Sequence, residues 1–243
     1  MTLVYLATYN VSFLPLVKAT SFNSLMATST NTSSSTQKER EALIQSGWWG
    51  PYYKSGSNHC EWKGIECDTK GSVIGISLAF ELTIPTSKLM LKNLNITAFP
   101  NLATLQLIGL GLRGSIPKEI GTLTKLVNLG LSTNELQENN LINGSIPPQL
   151  FQLDKMLSLD LSSNKLSGSL PSSIAKGISL SYIDLSHNHL KGPVQTLFPY
   201  CALNATIDLN HNMLNGSITF KIGCATNVDL SHNFFSGELP SVH

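Results

Sequence analysis

A short phrase that returns along the chain constrains the fold more than any other feature of the sequence. Residues 157–171 read LSLDLSSNKLSGSLP, with leucine at Leu159, Leu161, Leu166 and Leu170. A helix would space its apolar residues at intervals of three and four, and a strand would alternate them strictly. Here a brief alternation breaks into an Asn-x-Leu-x-Gly turn, and the same phrase then appears again.

The copies of this phrase are aligned most easily on their asparagine. The asparagines are Asn134, Asn164, Asn188, Asn212 and Asn233. Successive intervals along this series are 30, 24, 24 and 21 positions. An earlier copy, LQLIGLGLRGSIP, has Leu110 in the asparagine place, 24 positions before Asn134. A period in the twenties with this leucine code is the signature of a leucine-rich-repeat solenoid.

Repeats of this length must stack, because each is too small to bury its own apolar side. The predicted fold class is α/β: a right-handed leucine-rich-repeat solenoid with short parallel strands on the concave face. The convex side is predicted to be irregular or 3-10, and a small helical cap is predicted at the amino terminus. The five asparagines should form an internal ladder, since each unpaired backbone group inside the stack costs about 1–3 kcal/mol.

Composition and motifs exclude several classes of function. The net charge is +1, which gives no indication of nucleic-acid or acidic-membrane binding. Residues 109–114 formally match G-x-G-x-x-G, but the match lies inside a repeat whose leucines explain it. The sequence contains no P-loop, kinase motif set, G-x-S-x-G elbow or H-E-x-x-H helix. It therefore predicts no catalysis, no cofactor and no resident metal.

The four cysteines form two candidate pairs. Cys60 and Cys67 frame CEWKGIEC, and a disulfide there would stabilise the fold by roughly 2–3 kcal/mol. The alternatives are two buried free thiols or a zinc site that adds His59, although the spacing lacks the usual paired zinc ligands. Cys201 and Cys224 lie about one repeat apart, which leaves a second disulfide across neighbouring turns open.

Asparagine sequons favour a secretory route. Six occur, at Asn10, Asn31, Asn95, Asn143, Asn204 and Asn215. The NGSI copies at Asn143 and Asn215 are also what the repeat itself demands. Candidate glycosylation sites are Asn95, Asn143, Asn204 and Asn215. Together with the cysteines, these sequons predict a protein of the secretory pathway that is extracellular or at the cell surface.

The amino-terminal stretch divides into two predicted segments. Residues 3–17 resemble the apolar part of a signal peptide, so residues 1–27 are predicted to be one. No Lys or Arg precedes the apolar run, so a displaced chain start is the alternative. Residues 28–36 read TSTNTSSST, a polar low-complexity segment that predicts a disordered linker.

A short helix is predicted next. Thr36 to Glu39 read as a capping box that opens a helix over about 37–46, which Gly47 ends. Trp48 and Trp49 follow. Adjacent tryptophans can form a ligand platform, but the stronger interpretation is that they plug the open end of the core, because terminal repeats must be capped.

Three segments around this helix carry a family resemblance. EREALIQSGWW, CEWKGIEC and GSVIGISL, in that order, resemble the amino-terminal cap of plant leucine-rich repeat receptor-like kinases and receptor-like proteins. The repeats match the plant-type pattern L-x-x-L-x-x-L-x-L-x-x-N-x-L-x-G-x-I-P. The resemblance implies a cap over 37–71 and repeats over 72–243, followed in relatives by a membrane helix and a Ser/Thr kinase. Neither is encoded here, and without a carboxy-terminal cap the repeats are expected to be open at that end.

The third copy carries additional residues. The interval of 30 exceeds the usual 24 by six, and QENNLI after Leu136 is expected to bulge outward. The core register should resume at Ile146. Such a bulge can be a functional loop, and an error at an exon junction is the alternative.

The outward strand positions form the candidate binding face. Aspartates recur at one position and should stack about 5 Å apart per strand: Asp160, Asp184, Asp208 and Asp229. With Tyr182 and Asn210 they form a surface that would attract a basic peptide. The alternative is that aspartate is common at this position and is simply solvated.

A histidine precedes three of the ladder asparagines, at His187, His211 and His232. A stacked histidine row can bind metal or respond to pH. The stronger interpretation is that these are consensus residues in a repeated solvent-facing position.

The resemblance and the missing catalytic motifs together predict the extracellular recognition module of a plant receptor-like kinase. Its partners would be a peptide or protein ligand and a co-receptor ectodomain. One alternative is a soluble inhibitor of cell-wall-degrading enzymes, resembling polygalacturonase-inhibiting proteins. Another is the front part of a full-length receptor Ser/Thr kinase.

Overall fold

The computed structural model describes residues 32–50, 56–79, 89–132, 141–171, 180–194, 204–218 and 225–237. Within these ranges one α-helix, α1 (Thr32–Ser46), is followed by short strands and 3-10 turns. The strands are β1 (Ile65–Cys67), β2 (Val73–Ala79), β3 (Thr104–Ile108), β4 (Arg113–Ser115), β5 (Asn128–Gly130), β6 (Leu141–Gly144), β7 (Ser158–Asp160), β8 (Lys165–Gly168), β9 (Tyr182–Asp184), β10 (His189–Pro193), β11 (Ala205–Asp208), β12 (Met213–Ser217), β13 (Ala225–Asp229) and β14 (Phe234–Ser236).

The strands form two sheets that run the length of the described solenoid. The long sheet has the order β1-β2-β3-β5-β7-β9-β11-β13, and the second sheet has the order β14-β12-β10-β8-β6-β4. Apart from the antiparallel β1–β2 pair, the named strand pairs are parallel. Leu129, Leu159 and Ile183 face each other in register at the core side of the long sheet. The predicted solenoid is confirmed.

Short 3-10 turns lie between successive strands on the far side of the core. They span Leu91–Asn93, Ile96–Ala98, Lys118–Thr122 and Pro148–Gln152. Each contributes apolar residues to one continuous core, including Leu91, Ile120 and Phe151. The predicted 3-10 character of this side is therefore present within the described repeats.

The second sheet was not predicted. Its strands follow the ladder position of each repeat. β8, β10 and β12 each bury a single residue, as Leu190 is buried between the exposed His189 and Lys191. Gly192 ends this stretch with a φ of 91°, and a Cβ there would lie 3.4 Å from Ser169 Cβ of the preceding repeat. The glycine is therefore required by its left-handed φ, since a Cβ at this distance from Ser169 would make only an ordinary van der Waals contact.

The helix begins earlier than the sequence predicted. It starts at Thr32 rather than near residue 37, so the part of the predicted linker from 32 to 36 is helical. The capping-box interpretation is wrong, because Thr36 and Glu39 lie inside the helix. Serine and threonine cost only a few tenths of a kcal/mol each in a helix interior. A helix anchored by its later turns can therefore extend through them.

Residues 1–31 lie outside the described residues, so the signal-peptide prediction stands as a prediction.

The anchor is a buried carboxylate. Glu39 is fully buried, and its two oxygens accept hydrogen bonds from Ser72 Oγ (2.7 Å) and from the backbone N–H of Val73 (3.0 Å). These bonds tie α1 to the start of β2, the first strand of the parallel stack. Two further side chains extend the connection into the repeats, because Asn101 donates to Ser72 Oγ and Lys125 donates to Asn101 Oδ1.

Trp48 and Trp49 close the amino-terminal end of the core, as predicted. Both are 1% exposed, and their rings stack with centroids 6.1 Å apart. The indole N–H of Trp49 donates to the carbonyl of Lys63 at 2.9 Å. Gly47 follows α1 with a φ of 72°, so the helix ends where the glycine predicted. The tryptophans are thus core residues and not a ligand platform.

The structure joins Cys60 and Cys67 in a disulfide, with Cα atoms 5.6 Å apart. The bond links the short 3-10 turn at His59–Glu61 to β1 and so constrains this part of the amino-terminal cap. Cys201 and Cys224 lie outside the described residues. Their pairing therefore stays a prediction.

The additional residues of the third copy lie closer to Asn134 than predicted. Leu141 and Ile142, which the sequence assigned to the bulge, belong to β6, and Ile142 is 1% exposed. The repeat register therefore resumes by Leu141 and not at Ile146. The reason is that Ile142 fills the buried position that Leu166 fills one repeat later. The rest of the insertion, with Asn134, lies in 133–140, outside the described residues.

The last described repeat is less covered than those before it. Leu209 and Leu214 are fully buried, whereas Leu230 and Phe235 at the equivalent places are only partly buried, and Phe234 is 68% exposed. Residues 238–243 lie outside the described residues, so the predicted open end is not tested beyond Gly237.

Candidate functional site

The asparagine ladder fixes the register of the strands that carry the candidate site. The side-chain amide of Asn188 donates to the carbonyls of Leu161 (2.9 Å), Leu185 (3.2 Å) and Ser186 (3.0 Å). Its Oδ1 accepts the backbone N–H of Leu166 at 3.0 Å. One side chain thus joins its own turn to two places in the preceding repeat. The geometry satisfies backbone groups that would otherwise be buried without partners.

Asn212 repeats this arrangement one repeat later. It donates to Leu185, Leu209 and Asn210 carbonyls and accepts the N–H of Leu190. Asn233 continues the series, with its Oδ1 accepting the N–H of Leu214 at 2.9 Å. Asn164 differs: its amide donates to Leu131 O (2.9 Å), but its buried Oδ1 has no hydrogen-bond partner in the described structure.

Four aspartates stand in register on adjacent strands of the long sheet. Asp160 pairs with Asp184, Asp184 with Asp208, and Asp208 with Asp229. We call this set the acidic column. Parallel strands lie about 4.8 Å apart, so the carboxylates are close enough to repel one another. Gly130 occupies the equivalent place on β5 and ends the column on the amino-terminal side.

Each carboxylate of the acidic column also accepts a hydrogen bond from the turn that follows its strand. Asp160 Oδ1 accepts from the backbone N–H (3.0 Å) and the hydroxyl (2.7 Å) of Ser162. Asp184 accepts from Ser186 in the same way. Asp208 and Asp229 accept the N–H groups of Asn210 and Ser231 at 3.0 and 2.9 Å. The aspartates are therefore part of the strand-ending turns and are not simply solvated.

Other hydrogen bonds orient the second carboxylate oxygens. Ser132 Oγ donates to Asp160 Oδ2 at 2.7 Å, and Asn210 Nδ2 donates to Asp229 Oδ2 at 3.3 Å. Tyr182 reaches within its own strand and donates its hydroxyl to Asp184 Oδ2 at 3.2 Å. The sequence placed Tyr182 and Asn210 on this face, and Ser132 follows β5 at an outward position of the same face.

The environment moves the pKa values of these carboxyls in different directions. Burial raises the pKa of Asp184, and hydrogen bonds from Ser186 oppose the shift. Burial, reinforced by the charges of Asp184 and Asp229, raises the pKa of Asp208 to about 6. At Asp229 burial raises the pKa, but hydrogen bonds from Ser231 and Asn210 outweigh it, so the pKa lies below its ordinary value. The column is thus most easily protonated at its centre.

The three histidines lie beside the acidic column as a stacked row. The rings of His187 and His211 have centroids 4.3 Å apart, and those of His211 and His232 are 4.0 Å apart. All three residues are exposed, which agrees with the predicted solvent-facing position. We call this set the histidine row.

The candidate glycosylation residues Asn95, Asn143, Asn204 and Asn215 are all exposed. Asn143 lies in β6 and Asn215 in β12, so both would place a glycan on the second sheet. This position leaves the outward side of the long sheet uncovered. Modification itself stays a prediction.

A metal interpretation of the cap is wrong. His59, Cys60 and Cys67 bring three ligand-type atoms within 4.8 Å of one another. The two sulfurs are joined in the disulfide, and a disulfide sulfur is not the thiolate that binds zinc. Within the described part of the chain, no helix combines the length and hydrophobicity that crossing a bilayer requires.

Comparison with known proteins agrees with this architecture. The Leucine Rich Repeat family model matches residues 155–176 and 179–201. The chain is 38% identical over 85 residues to the leucine-rich repeat receptor-like serine/threonine-protein kinase RGI4 of Arabidopsis thaliana. That match covers 34% of this chain and 7% of the relative, so the chain spans a small part of the relative's length.

Two solved structures extend the similarity over most of the chain. A plant ice-binding protein superposes with a TM-score of 0.63 at 27% identity, covering 87% of this chain and 66% of that one. Pollen Receptor Kinase 3 superposes with a TM-score of 0.60 at 25% identity, covering 78% of this chain and 89% of that one. The chain is similar to the leucine-rich-repeat ectodomains of plant receptor kinases, which confirms the resemblance predicted from the cap and the repeats.

Proposed function

We propose that this chain is an extracellular recognition module that binds an extended peptide or protein segment along the long sheet. It would act as the ligand-sensing part of a plant receptor kinase, with a co-receptor ectodomain as a second partner. The proposal assigns no catalytic step to the chain. The similarity to receptor kinases and the disulfide-stapled cap support an extracellular location.

The observation that carries the proposal is the acidic column on a rigid surface. Four carboxylates stand in register on adjacent strands, and each is oriented by hydrogen bonds from the turn that follows it. Because the solenoid holds these groups before a ligand arrives, little conformational entropy is lost on binding. A ligand with Lys or Arg side chains spaced along an extended backbone would match the column.

The ligand class can be tested with purified chain and an array of synthetic extracellular peptides of varied charge. We expect the bound peptides to be enriched in Lys and Arg, because the column is acidic. Asp160→Asn or Asp229→Asn should then weaken binding of a selected peptide at least tenfold. Asp154→Asn is the matched control, since Asp154 is exposed in a turn outside the column.

Two results would contradict the proposed ligand class. One is enrichment of neutral or acidic peptides on a folded sample. The other is an equal effect of the Asp160 and Asp154 substitutions, which would show that only net charge matters.

A second candidate function is adsorption to ice, which the similarity to the plant ice-binding protein favours. The second sheet presents regularly spaced outward residues, and several are small and polar, such as Ser167 and Ser217. Lys165, Lys191 and Phe234 interrupt this surface, so we rank it below peptide recognition. Thermal hysteresis of the purified chain would support ice adsorption, and its absence at high protein concentration would exclude it.

A further inference from the structure

The outward face of the long sheet changes character along the solenoid. From β7 to β13 the acidic column stands at one place on each strand. On β2, β3 and β5 the same place holds Ser77, Gln106 and Gly130, which pair in register and carry no charge. A ligand that carries only positive charge therefore matches one part of this face and leaves the other part uncontacted.

Gly130 is not required by the fold at its place. It lies in β5 outside the left-handed backbone region, and it pairs with Gln106 and Asp160 without a register shift. A Cβ on Gly130 would lie 3.5 Å from Gln106 Cγ and 3.8 Å from Ile108 Cδ1, which are ordinary van der Waals distances. Inside a strand, glycine commonly marks a bulge, a tight bend or the close approach of a ligand. Because Gly130 lies in a regular and uncrowded strand pairing, the approach of a ligand is the role that remains.

The missing side chain leaves a recess between Asp160 and an apolar border, and we call this space over Gly130 the glycine recess. The border consists of Ala79 and Ile108, which pair in register at the next outward place along β2 and β3. Ala79 is exposed and Ile108 is partly exposed. The equivalent places on the later strands are polar: Ser132, Ser162, Ser186, Asn210 and Ser231. Apolar side chains at this outward place are thus confined to the strands beside the recess.

We propose that the glycine recess is an apolar subsite, which takes one aliphatic side chain of the ligand while the acidic column takes its basic side chains. This inference rests on the proposed function and adds a second chemical requirement to its ligand. The driving force is the apolar surface of Ile108 and of the ligand side chain that leaves water on contact. A glycine at the floor of the recess allows the ligand to approach the sheet closely.

Strand spacing sets the order of residues in the ligand. Parallel strands lie about 4.8 Å apart, so the carboxylates of Asp160, Asp184 and Asp208 lie about 5, 10 and 14 Å from the recess. An extended peptide across the strands presents alternate side chains to the sheet, about 7 Å apart. With an aliphatic residue over Gly130, the second residue along lies between Asp160 and Asp184, and the fourth lies near Asp208. The matching pattern is aliphatic-x-basic-x-basic, in one of the two chain directions.

The test is fluorescence anisotropy of labelled synthetic peptides with the purified chain. Three peptides share two lysines in this pattern on a neutral Gly/Ser background, and carry leucine, serine or lysine at the aliphatic position. Each peptide is made in both chain directions. In one direction we expect the leucine peptide to bind about fivefold more tightly than the serine peptide, because its side chain leaves water against Ile108.

Two substitutions in the subsite should change this preference in different ways. Ile108→Thr keeps a β-branched side chain and removes the apolar border, so it should reduce the preference for leucine and leave the affinity of the serine peptide unchanged. Gly130→Asp fills the recess with the residue that the next four strands of the long sheet carry at this place, so the lysine peptide should become the tightest binder. Ser167→Asp is the matched control, since it adds the same charge at an exposed place on the second sheet and should leave the preference unchanged.

Circular dichroism melting of each variant separates a lost subsite from a lost fold. If Gly130→Asp does not fold, Ile108→Thr decides. The subsite is overturned if the leucine and serine peptides bind equally in both directions, if folded Ile108→Thr keeps the full preference, or if Ser167→Asp produces the same change. The proposed function survives those results provided that Asp160→Asn still weakens binding of the basic peptides. Absence of binding by every peptide on a folded sample overturns both.

Discussion

Repeats that share one asparagine code are not held together equally. At Asn188 and Asn212 both ends of the side-chain amide are satisfied, with three donated bonds and one accepted bond each. At Asn164 the donated bonds to Leu131, Leu161 and Ser162 are present, but the buried Oδ1 accepts none. The two regions differ in what precedes them. Asn188 and Asn212 follow regular repeats of 24 residues, whereas Asn164 follows the insertion.

The difference shows that the ladder has two separable parts. The donated bonds close the turn within a repeat and reach one carbonyl of the preceding strand, and they survive the insertion. The accepted bond comes from the second sheet of the preceding repeat, such as the N–H of Leu190 to Asn212 Oδ1. Ile142 is the equivalent residue before Asn164, and its N–H does not reach Asn164 Oδ1. The insertion therefore weakens the contact between repeats, not the repeat itself.

The largest expected effect is from removing a fully bonded ladder residue. Asn188→Ala removes the partners of the Leu166 N–H and of three carbonyls, which should cost about 3 kcal/mol or more in the free energy of unfolding. Asn164→Ala should cost about 1 kcal/mol less, since it also removes an unpaired buried oxygen. Urea unfolding followed by circular dichroism measures both. Equal losses, or a greater loss at Asn164, would contradict the comparison.

Removing the insertion should restore the missing bond. Deletion of residues 135–140 joins Asn134 to Leu141 and places Asn134 at 24 positions before Asn164, as in the regular repeats. The N–H of Ile142 can then donate to Asn164 Oδ1, and we expect a gain of about 1 kcal/mol in stability. Thermal and urea unfolding check this. A destabilised deletion variant would show that residues 135–140 contribute packing that the register argument omits.

The acidic column predicts a smaller effect that depends on pH. Burial raises the pKa of Asp208 to about 6, whereas the same carboxyl in the unfolded chain has a pKa near 4. The folded state therefore binds this proton more tightly. The resulting stabilisation is fully present below pH 4 and is lost as the pH rises through 6. Asp208→Asn keeps an oxygen for the Asn210 N–H and removes the charge. The variant should be more stable than the unsubstituted chain at pH 7.5, by under about 1 kcal/mol after solvent screening. The gain should vanish by pH 3.5.

Unfolding of both proteins at the two pH values, in the same buffer series, measures this difference. Asp154→Asn serves as the control for a change in net charge. A gain that is the same at pH 3.5 and pH 7.5 would exclude the titration of Asp208 as its cause.

The smallest effect concerns the residue before the ladder asparagine. Ser163 adopts a left-handed φ of 53°, and Gly109 occupies the equivalent place before Leu110 with a φ of 67°. Ser163→Gly relieves the steric cost of that conformation but increases the entropy of the unfolded chain. We expect the free energy of unfolding to rise by a few tenths of a kcal/mol or stay unchanged. A loss of more than about 1 kcal/mol would show that the contacts of Ser163 outweigh the relief of its left-handed backbone.

Much of this architecture follows directly from the sequence, because it rests on repeated leucines. The period, the tryptophan plug and the in-register aspartates each depend on a residue type recurring at one place. The start of α1 does not follow, since it depends on Glu39 reaching Ser72, 33 positions away. The second sheet is equally hidden. Strands that bury one residue between two exposed ones, as β8 does with Leu166, are too short to show a period of two.

The insertion exposes a further ambiguity of the sequence. In the sequence, Asn134 follows the alternating Leu129 and Leu131 as the repeat code requires, whereas Asn140 lies 24 positions before Asn164. Asn134 has the leucines that precede a ladder asparagine, and Asn140 has the spacing to the next one. Spacing alone therefore does not decide which of the two is the ladder residue. The buried position of Ile142 resolves where the register resumes, because only three-dimensional packing distinguishes a core isoleucine from one in a loop.

Amide hydrogen exchange by NMR tests the central claim. In regular repeats the Oδ1 of a ladder asparagine accepts a backbone N–H from the repeat before it, and after the insertion this hydrogen bond is absent at Asn164. We predict slow exchange for the amides of Leu166 and Leu190, which donate to Asn188 and Asn212 Oδ1. The amide of Ile142 should exchange at least tenfold faster. Equal protection at all three positions, or fast exchange at Leu166 and Leu190, would contradict it.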